Sequence, residues 1–329
     1  MNLFRYRAVI LIYLVLLASA MGCAPPPSEQ ASQVVSAEED LGLSNGSFMV
    51  ELNGFNIHVE IHGQGPVMMV VPNSWGLSIV GLRGLLQPLE ERLTMVYFDP
   101  RGMGDSDPVR QEADMSMAAV RADFDSLRQH LGLDQVHAIG WSNGAANLVL
   151  LAAEKPESLS SAIFLHGIAS YTQEDAAKFA QEQPALMQRY MAFIEEMADE
   201  SLTDGIRTAR MKELWLTDYF PATMADSENG RALLEEVFGE AEFSWAHGQV
   251  ADQELSTFDA REQLASIPVR SLVIAGAHDM SPPTKVQELA DGLPNSVFVV
   301  FKNSGHFSPI EETEAFTELV FDFLGAESP

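Results

Sequence analysis

Six short apolar runs constrain this chain more than any other feature. They are VMMVV (67–71), MVYFD (95–99), VHAIG (136–140), AIFLHG (162–167), VRSLVIAG (269–276) and SVFVVF (296–301). Continuous apolar runs of this length are expected of strands buried on both faces. Before them, FMVEL and FNIHVEI flank Asn53-Gly54, a strong signal for a tight hairpin turn. Between the second and third runs, Met117, Val120, Phe124, Leu127 and Leu131 recur at helical spacing, and Gly132 follows as a stop. A last helix carries Phe316, Leu319, Val320, Phe323 and Leu324 and ends at Gly325. An opening hairpin followed by strand–helix alternation predicts an α/β fold, a mostly parallel sheet covered by helices.

Residues 171–250 break the rhythm. Segments such as PALMQRYMAFIEEM and ENGRALLEEVFGE are helical in pattern, and no strand is convincing. This stretch is expected to be a helical cap inserted between two parts of the core, 46–170 and 251–329. Following the strand AIFLHG, it would lie above the C-terminal strand ends, where open α/β sheets place ligands.

The N-terminus carries a processing signal. MNLFRYR has two arginines and no acid, and AVILIYLVLLASA is an apolar run too short to span a membrane. Residues 1–22 are therefore expected to be a signal peptide. The chain's one cysteine, Cys23, ends ASAMGC, which resembles a bacterial lipobox, so Cys23 is the expected lipid attachment site and membrane anchor. The alternative is cleavage after Ala18-Ser19-Ala20 and a soluble exported protein. Residues 23–45 are rich in Pro, Ser, Gln, Ala and Glu and read as a flexible tether. With 47 acids against 19 Lys and Arg, the net charge is −28. Such a surface repels nucleic acid, and no basic stripe opposes it.

The chemistry is concentrated in Gly140-Trp141-Ser142-Asn143-Gly144. This pentapeptide follows a buried strand and opens the helix ANLVLLAAEKP, the context of a nucleophile elbow. A serine hydroxyl needs a base, itself oriented by an acid. The loop AHDMSPP presents Asp279 after one strand, and KNSGHFSP presents His306 after the next. Of the eight histidines, His278 and His306 alone neighbour or follow that acid in the order the elbow architecture requires. His278 is adjacent to Asp279, where neighbouring side chains diverge, which leaves His306 as the base.

FDPRGMGDS, GWSNG, LVIAGAHDMSPP and NSGHFSPIEE, in this order, resemble the α/β-hydrolase fold superfamily across nearly all of residues 47–325. The resemblance implies Ser142 as nucleophile, Asp279 as acid and His306 as base, with no metal or organic cofactor. One oxyanion donor is the N–H of Asn143. The second is expected from Pro72-Asn73-Ser74-Trp75-Gly76, where the family commonly has His-Gly. Aligning on Gly76 gives Ser74, a one-residue shift gives Asn73, and Pro72 has no N–H to offer. Trp141 and Trp75 are candidates to line a substrate pocket. His166-Gly167, which looks like the missing His-Gly motif, follows the strand after the serine and reads as a structural strand end. His58, Glu60 and His62 alternate like metal ligands, but are expected on the solvent face of the hairpin. Asp99 and Arg101 read as structural members of their turn.

Serine at the elbow sets the chain apart from dehalogenase and epoxide hydrolase branches, which the resemblance would give an aspartate. It is similar to capped esterases, ring-cleavage-product hydrolases and proline iminopeptidases. The expected activity is hydrolysis of a small-molecule carboxylic ester, with an aminopeptidase as the alternative. A non-catalytic binding protein on the same scaffold is the reading from another class, and a missing triad member would have favoured it.

Overall fold

The computed structural model describes residues 43–325. The signal, Cys23 and residues 24–42 of the expected tether lie outside the described residues. One eight-stranded sheet organises the molecule: β1 Gly46–Leu52, β2 Phe55–Gly63, β3 Val67–Val71, β4 Thr94–Phe98, β5 Val136–Trp141, β6 Leu159–Leu165, β7 Arg270–Gly276 and β8 Ser296–Phe301. The order across the sheet is β1-β2-β4-β3-β5-β6-β7-β8. β2 pairs antiparallel with β1 and β4, and all other neighbours are parallel. Leu52 faces Phe55 across the hairpin, with φ of 52° at Asn53 and 80° at Gly54, so the two-residue turn has the left-handed backbone that matches strand twist.

The apolar runs are continuous because both sheet faces are covered. Successive side chains of a strand point to opposite faces. Met69, Val71, Ala138, Phe164 and Val273 join one core cluster, with Phe124 and Leu127 of the helix Met117–His130. Their neighbours Met68, Val70, Ile139, Ile163, Leu165, Leu272 and Ile274 join the other, with Phe316 and Val320 of the helix Thr313–Leu324. Ser116 caps the first of these helices by accepting the N–H of Ala119. Gly132 and Gly325, at φ of 72° and 71°, follow the two helices. β8 is the exception: at the sheet edge Ser296, Phe298, Val299 and Val300 are half-buried and Val297 is exposed, while Phe301 is buried.

Between β6 and β7 the chain is helical, including Gln173–Glu182, Pro184–Met197, Asp204–Leu214, Ser227–Phe238 and Trp245–Leu255. The last of these runs through position 250. No helix of the described residues is long and apolar enough to cross a membrane.

Candidate active site

β5, β6, β7 and β8 are consecutive and parallel, so their C-terminal ends lie along one edge. Ser142 immediately follows β5, His166 immediately follows β6, Asp279 lies in the loop after β7 and His306 in the loop after β8. The strand order alone thus lines up four chemically capable side chains.

Ser142 sits between β5 and the helix Asn143–Glu154 with φ 55° and ψ −118°, a backbone state that costs of order 1–3 kcal/mol for a side-chain-bearing residue. Close packing enforces the turn. A Cβ on Gly140 would lie 2.3 Å from the carbonyl oxygen of Gly144, and one on Gly144 would lie 2.5 Å from that of Val71. The Ser142 N–H donates to the Leu165 carbonyl at 2.9 Å, and the side chain stays partly accessible.

The Asp279 side chain is fully buried and receives two imidazoles. His306 Nδ1 lies 2.9 Å and 3.0 Å from its two oxygens, and His166 Nδ1 lies 2.8 Å from Oδ2. The N–H of Ser281 adds a third donor at 3.1 Å. Burial pushes the carboxyl up, but the charge of His306 and the hydrogen bonds from both imidazoles outweigh it and hold Asp279 well below the usual carboxylate range. An ionised carboxylate can only accept, so each Nδ1 carries its proton. In a neutral His306 this places the free lone pair on Nε2, the tautomer a general base requires. These contacts have N–H···O lengths. Two nitrogen or oxygen ligands of a tetrahedral zinc ion, each bonded at about 2.0–2.1 Å, would stand about 3.3 Å apart.

The loop holding His306 is braced on both sides. Glu311 Oε2 accepts the N–H groups of Gly305 at 2.9 Å and Phe307 at 3.1 Å, and its Oε1 accepts that of Ala225 at 2.7 Å. Glu312 accepts from the Asn303 N–H and the Ser304 hydroxyl. The His306 N–H donates to the Thr223 carbonyl at 2.8 Å, and its carbonyl accepts the Trp141 indole N–H at 2.9 Å.

The oxyanion candidates are arranged less simply than the sequence suggests. The Asn143 N–H opens its helix and has no acceptor among the described residues. The Ser74 N–H, however, already donates to the Asn143 side-chain oxygen at 2.7 Å, joined by the Ser74 hydroxyl at 3.0 Å. Asn73 turns its side-chain oxygen to the Gly144 N–H at 3.2 Å, while its own N–H is uncommitted among the described residues.

Trp141 corrects the expectation of a pocket wall. It is 1% exposed, with its ring 5.3 Å from those of His306 and Phe307 and 6.0 Å from that of Phe238. It packs with Phe238 and Phe307 in the core beneath the His306 loop, on the same face of β5 as Ile139. Trp75, 8% exposed, stacks on Trp215 at 5.0 Å.

His58 also departs from its expected solvent face. It is buried, with Nδ1 2.8 Å from Asp99 Oδ2 and Nε2 2.8 Å from the Ser47 hydroxyl. Asp99 additionally accepts the Ile79 N–H at 2.7 Å. Arg101 is clamped by Asp123 through two 2.8 Å contacts, with Asp114 at 3.3 Å. The motif FDPRGMGDS thus ties β2, β4 and the helix Met117–His130 together by the buried His58–Asp99 contact and the buried Arg101–Asp123 ion pair.

The residue that sequence reasoning missed is His166. The sign was available: it follows the strand lying between those that present Ser142 and Asp279. Its backbone repeats that of Ser142, with φ 55° and an N–H donating across to the next strand, here to Ile274 at 2.9 Å.

A model of the alpha/beta hydrolase fold family matches residues 67–313. Among curated proteins, the chain is 26% identical to a protein of Pseudomonas savastanoi pv. phaseolicola assigned as the carbamate hydrolase RutD, covering 83% of this chain and 98% of that protein. It is 25% identical to a pimeloyl-[acyl-carrier protein] methyl ester esterase of Aeromonas hydrophila subsp. hydrophila, covering 82% and 100%. It is also 25% identical to a proline iminopeptidase of Heyndrickxia coagulans, covering 80% and 92%. The chain belongs to the alpha/beta hydrolase fold family, and it is a hydrolase of that fold.

Proposed function

We propose that the protein hydrolyses a small-molecule carboxylic ester through an acyl-enzyme on Ser142. The observation that carries this reading is the hydrogen bonding of His306 Nδ1 to buried Asp279, which leaves Nε2 as base on the sheet edge that presents the strained Ser142. His306 takes the Ser142 proton as Oγ bonds to the ester carbonyl carbon. The C–O bond of the leaving alcohol then breaks and His306 returns the proton to it. Water, deprotonated by His306, attacks the acyl carbon, the acyl–Oγ bond breaks, and His306 returns the proton to Ser142 as the acid leaves. The Asn143 N–H meets the developing oxyanion. The second donor is Ser74, once the Asn143 side chain turns away from it, or Asn73, whose N–H is already uncommitted.

A second reading, amide cleavage beside a free amine, is favoured by Asp252. Asp252 is solvent-exposed on the helix Trp245–Leu255, its charge is felt by Tyr171, Tyr190 and Tyr219, and no cation or hydrogen-bond donor among the described residues reaches it. A substrate ammonium is a fitting partner for such a group. Tyr219 links it to the site through its hydroxyl, 3.5 Å from Met280 Sδ beside Asp279. Turnover of p-nitrophenyl esters against proline p-nitroanilide separates the readings. Ester turnover lost in Ser142→Ala is expected, and turnover of the anilide alone contradicts the ester reading.

Cys23 anchors the exported protein to a membrane through lipid. The support is the arginine-bearing start, the apolar run and the placement of the single thiol at its end. Mass spectrometry of the mature N-terminus tests this, and an unmodified chain beginning at Met21 contradicts it.

A further inference from the structure

His166 is an expensive residue where it stands. It is a fully buried polar ring on a left-handed backbone, φ 55°. Only three non-glycine residues in the described chain have positive φ. One is Asn53 in the hairpin turn and the other two are Ser142 and His166. A smaller apolar side chain would fill this site without a buried polar group to satisfy, so packing does not account for the imidazole.

Its hydrogen bonds do. Nδ1 meets Asp279 Oδ2 at 2.8 Å, and Nε2 meets the Ser308 hydroxyl at 2.9 Å and receives the Ser308 N–H at 3.4 Å. Ser308 lies two residues after His306. The contacts therefore close a ring from His306 to Asp279, to His166, to Ser308 and back along the chain to His306. We propose that His166 is a positioning residue that locks the Asp279 carboxylate and straps the acid loop to the base loop. This rests on the serine-hydrolase reading above.

A neutral imidazole suits this task better than a cation. Burial lowers the His166 pKa, against the hydrogen bond and charge of Asp279, so it donates a hydrogen bond while carrying no charge. An arginine or lysine would orient Asp279 but cancel the negative charge that an imidazolium on His306 needs. His166 fixes the rotation of the carboxylate and leaves its charge for His306. Without it, Oδ2 keeps only its 3.0 Å contact with His306, and the orientation of the carboxylate rests on Oδ1, held by His306 and the Ser281 N–H.

The test compares His166→Ala, His166→Asn and Ser308→Ala, with kcat, KM and melting temperature measured on a p-nitrophenyl ester. Asparagine tolerates the left-handed backbone, and its Nδ2 stands as many bonds from Cα as Nδ1, so it retains the donor to Asp279. Orienting partners of this kind are worth about 10–100-fold in activity. His166→Ala is expected to lose that much in kcat with little change in KM, and His166→Asn to recover most of it. Ser308→Ala is expected to lose several-fold. Wild-type kcat in His166→Ala overturns the proposal, as does a His166→Asn variant that folds but is as slow as His166→Ala. If His166→Ala does not fold, Ser308→Ala, away from the strained residue, decides, and wild-type kcat there overturns the proposal. Failure of the wild type to react with a fluorophosphonate sinks the hydrolase mechanism itself. A wild type that reacts, with variants unaffected, sinks this inference alone.

Discussion

Glu311 offers a sharp test of how the base is held. Its Oε2 accepts the two backbone N–H groups on either side of His306, and its Oε1 accepts that of Ala225, which is exposed. Glu311→Ala strips the acceptor from all three. Water satisfies the exposed one, which leaves two loop donors without a partner, at about 1–3 kcal/mol each or roughly 2–6 kcal/mol together. At about 2–4 °C per kcal/mol, the melting temperature falls by roughly 4–24 °C. Glu311→Gln keeps one carbonyl oxygen, which turns to the loop and leaves the amide toward Ala225. Its cost is then about 1 kcal/mol, near the worth of one exchanged hydrogen bond. The predicted ranking is wild type, then Gln, then Ala, both in thermal melts and in kcat on a p-nitrophenyl ester, with KM little changed. Glu311→Ala melting within about 2 °C of wild type, or Glu311→Gln as damaged as Glu311→Ala, refutes the reasoning.

Asp123→Ala removes both 2.8 Å contacts to the buried Arg101 guanidinium and leaves it only Asp114. A loss of about 3–5 kcal/mol is expected in urea unfolding, with the folded fraction still active. Asp252→Asn tests the sign of a pH effect. A carboxyl raised to about 6 in the folded state contributes stability below its unfolded value and loses it as pH rises through 6. Asp252 is exposed and solvent screens its charge, so the variant should melt only about 1 °C above wild type at pH 7.5. This gain should shrink as pH is lowered toward 4. Thermal melts across that range check it, and a constant difference contradicts it.

What was legible in the sequence was whatever local pattern encodes. Continuous apolar runs revealed strands covered on both faces, and Asn53-Gly54 revealed the hairpin turn. The order of strands and loops put Ser142, Asp279 and His306 on loops that the sheet brings to one edge. Pairings across long separations were not legible. His58 reaches Asp99 across 41 positions, and His166 reaches Asp279 across 113. Period-2 alternation placed His58 toward solvent because polar residues usually are. A buried Asp99 needs a partner, and that need overrides the pattern. Trp141 flanks the serine in sequence, but the pleat of β5 turns its ring into the core. The hold of Asn143 on Ser74 depends on side-chain direction at a helix start, which no residue spacing reports.

The central claim is that Ser142 is the nucleophile activated by His306. Its most direct measurement is the reaction of the folded protein with a fluorophosphonate, followed by peptide mass mapping. One adduct is expected, on Ser142, absent in Ser142→Ala and formed far more slowly in His306→Ala. A folded protein that forms no adduct, or forms it on another residue, contradicts the account.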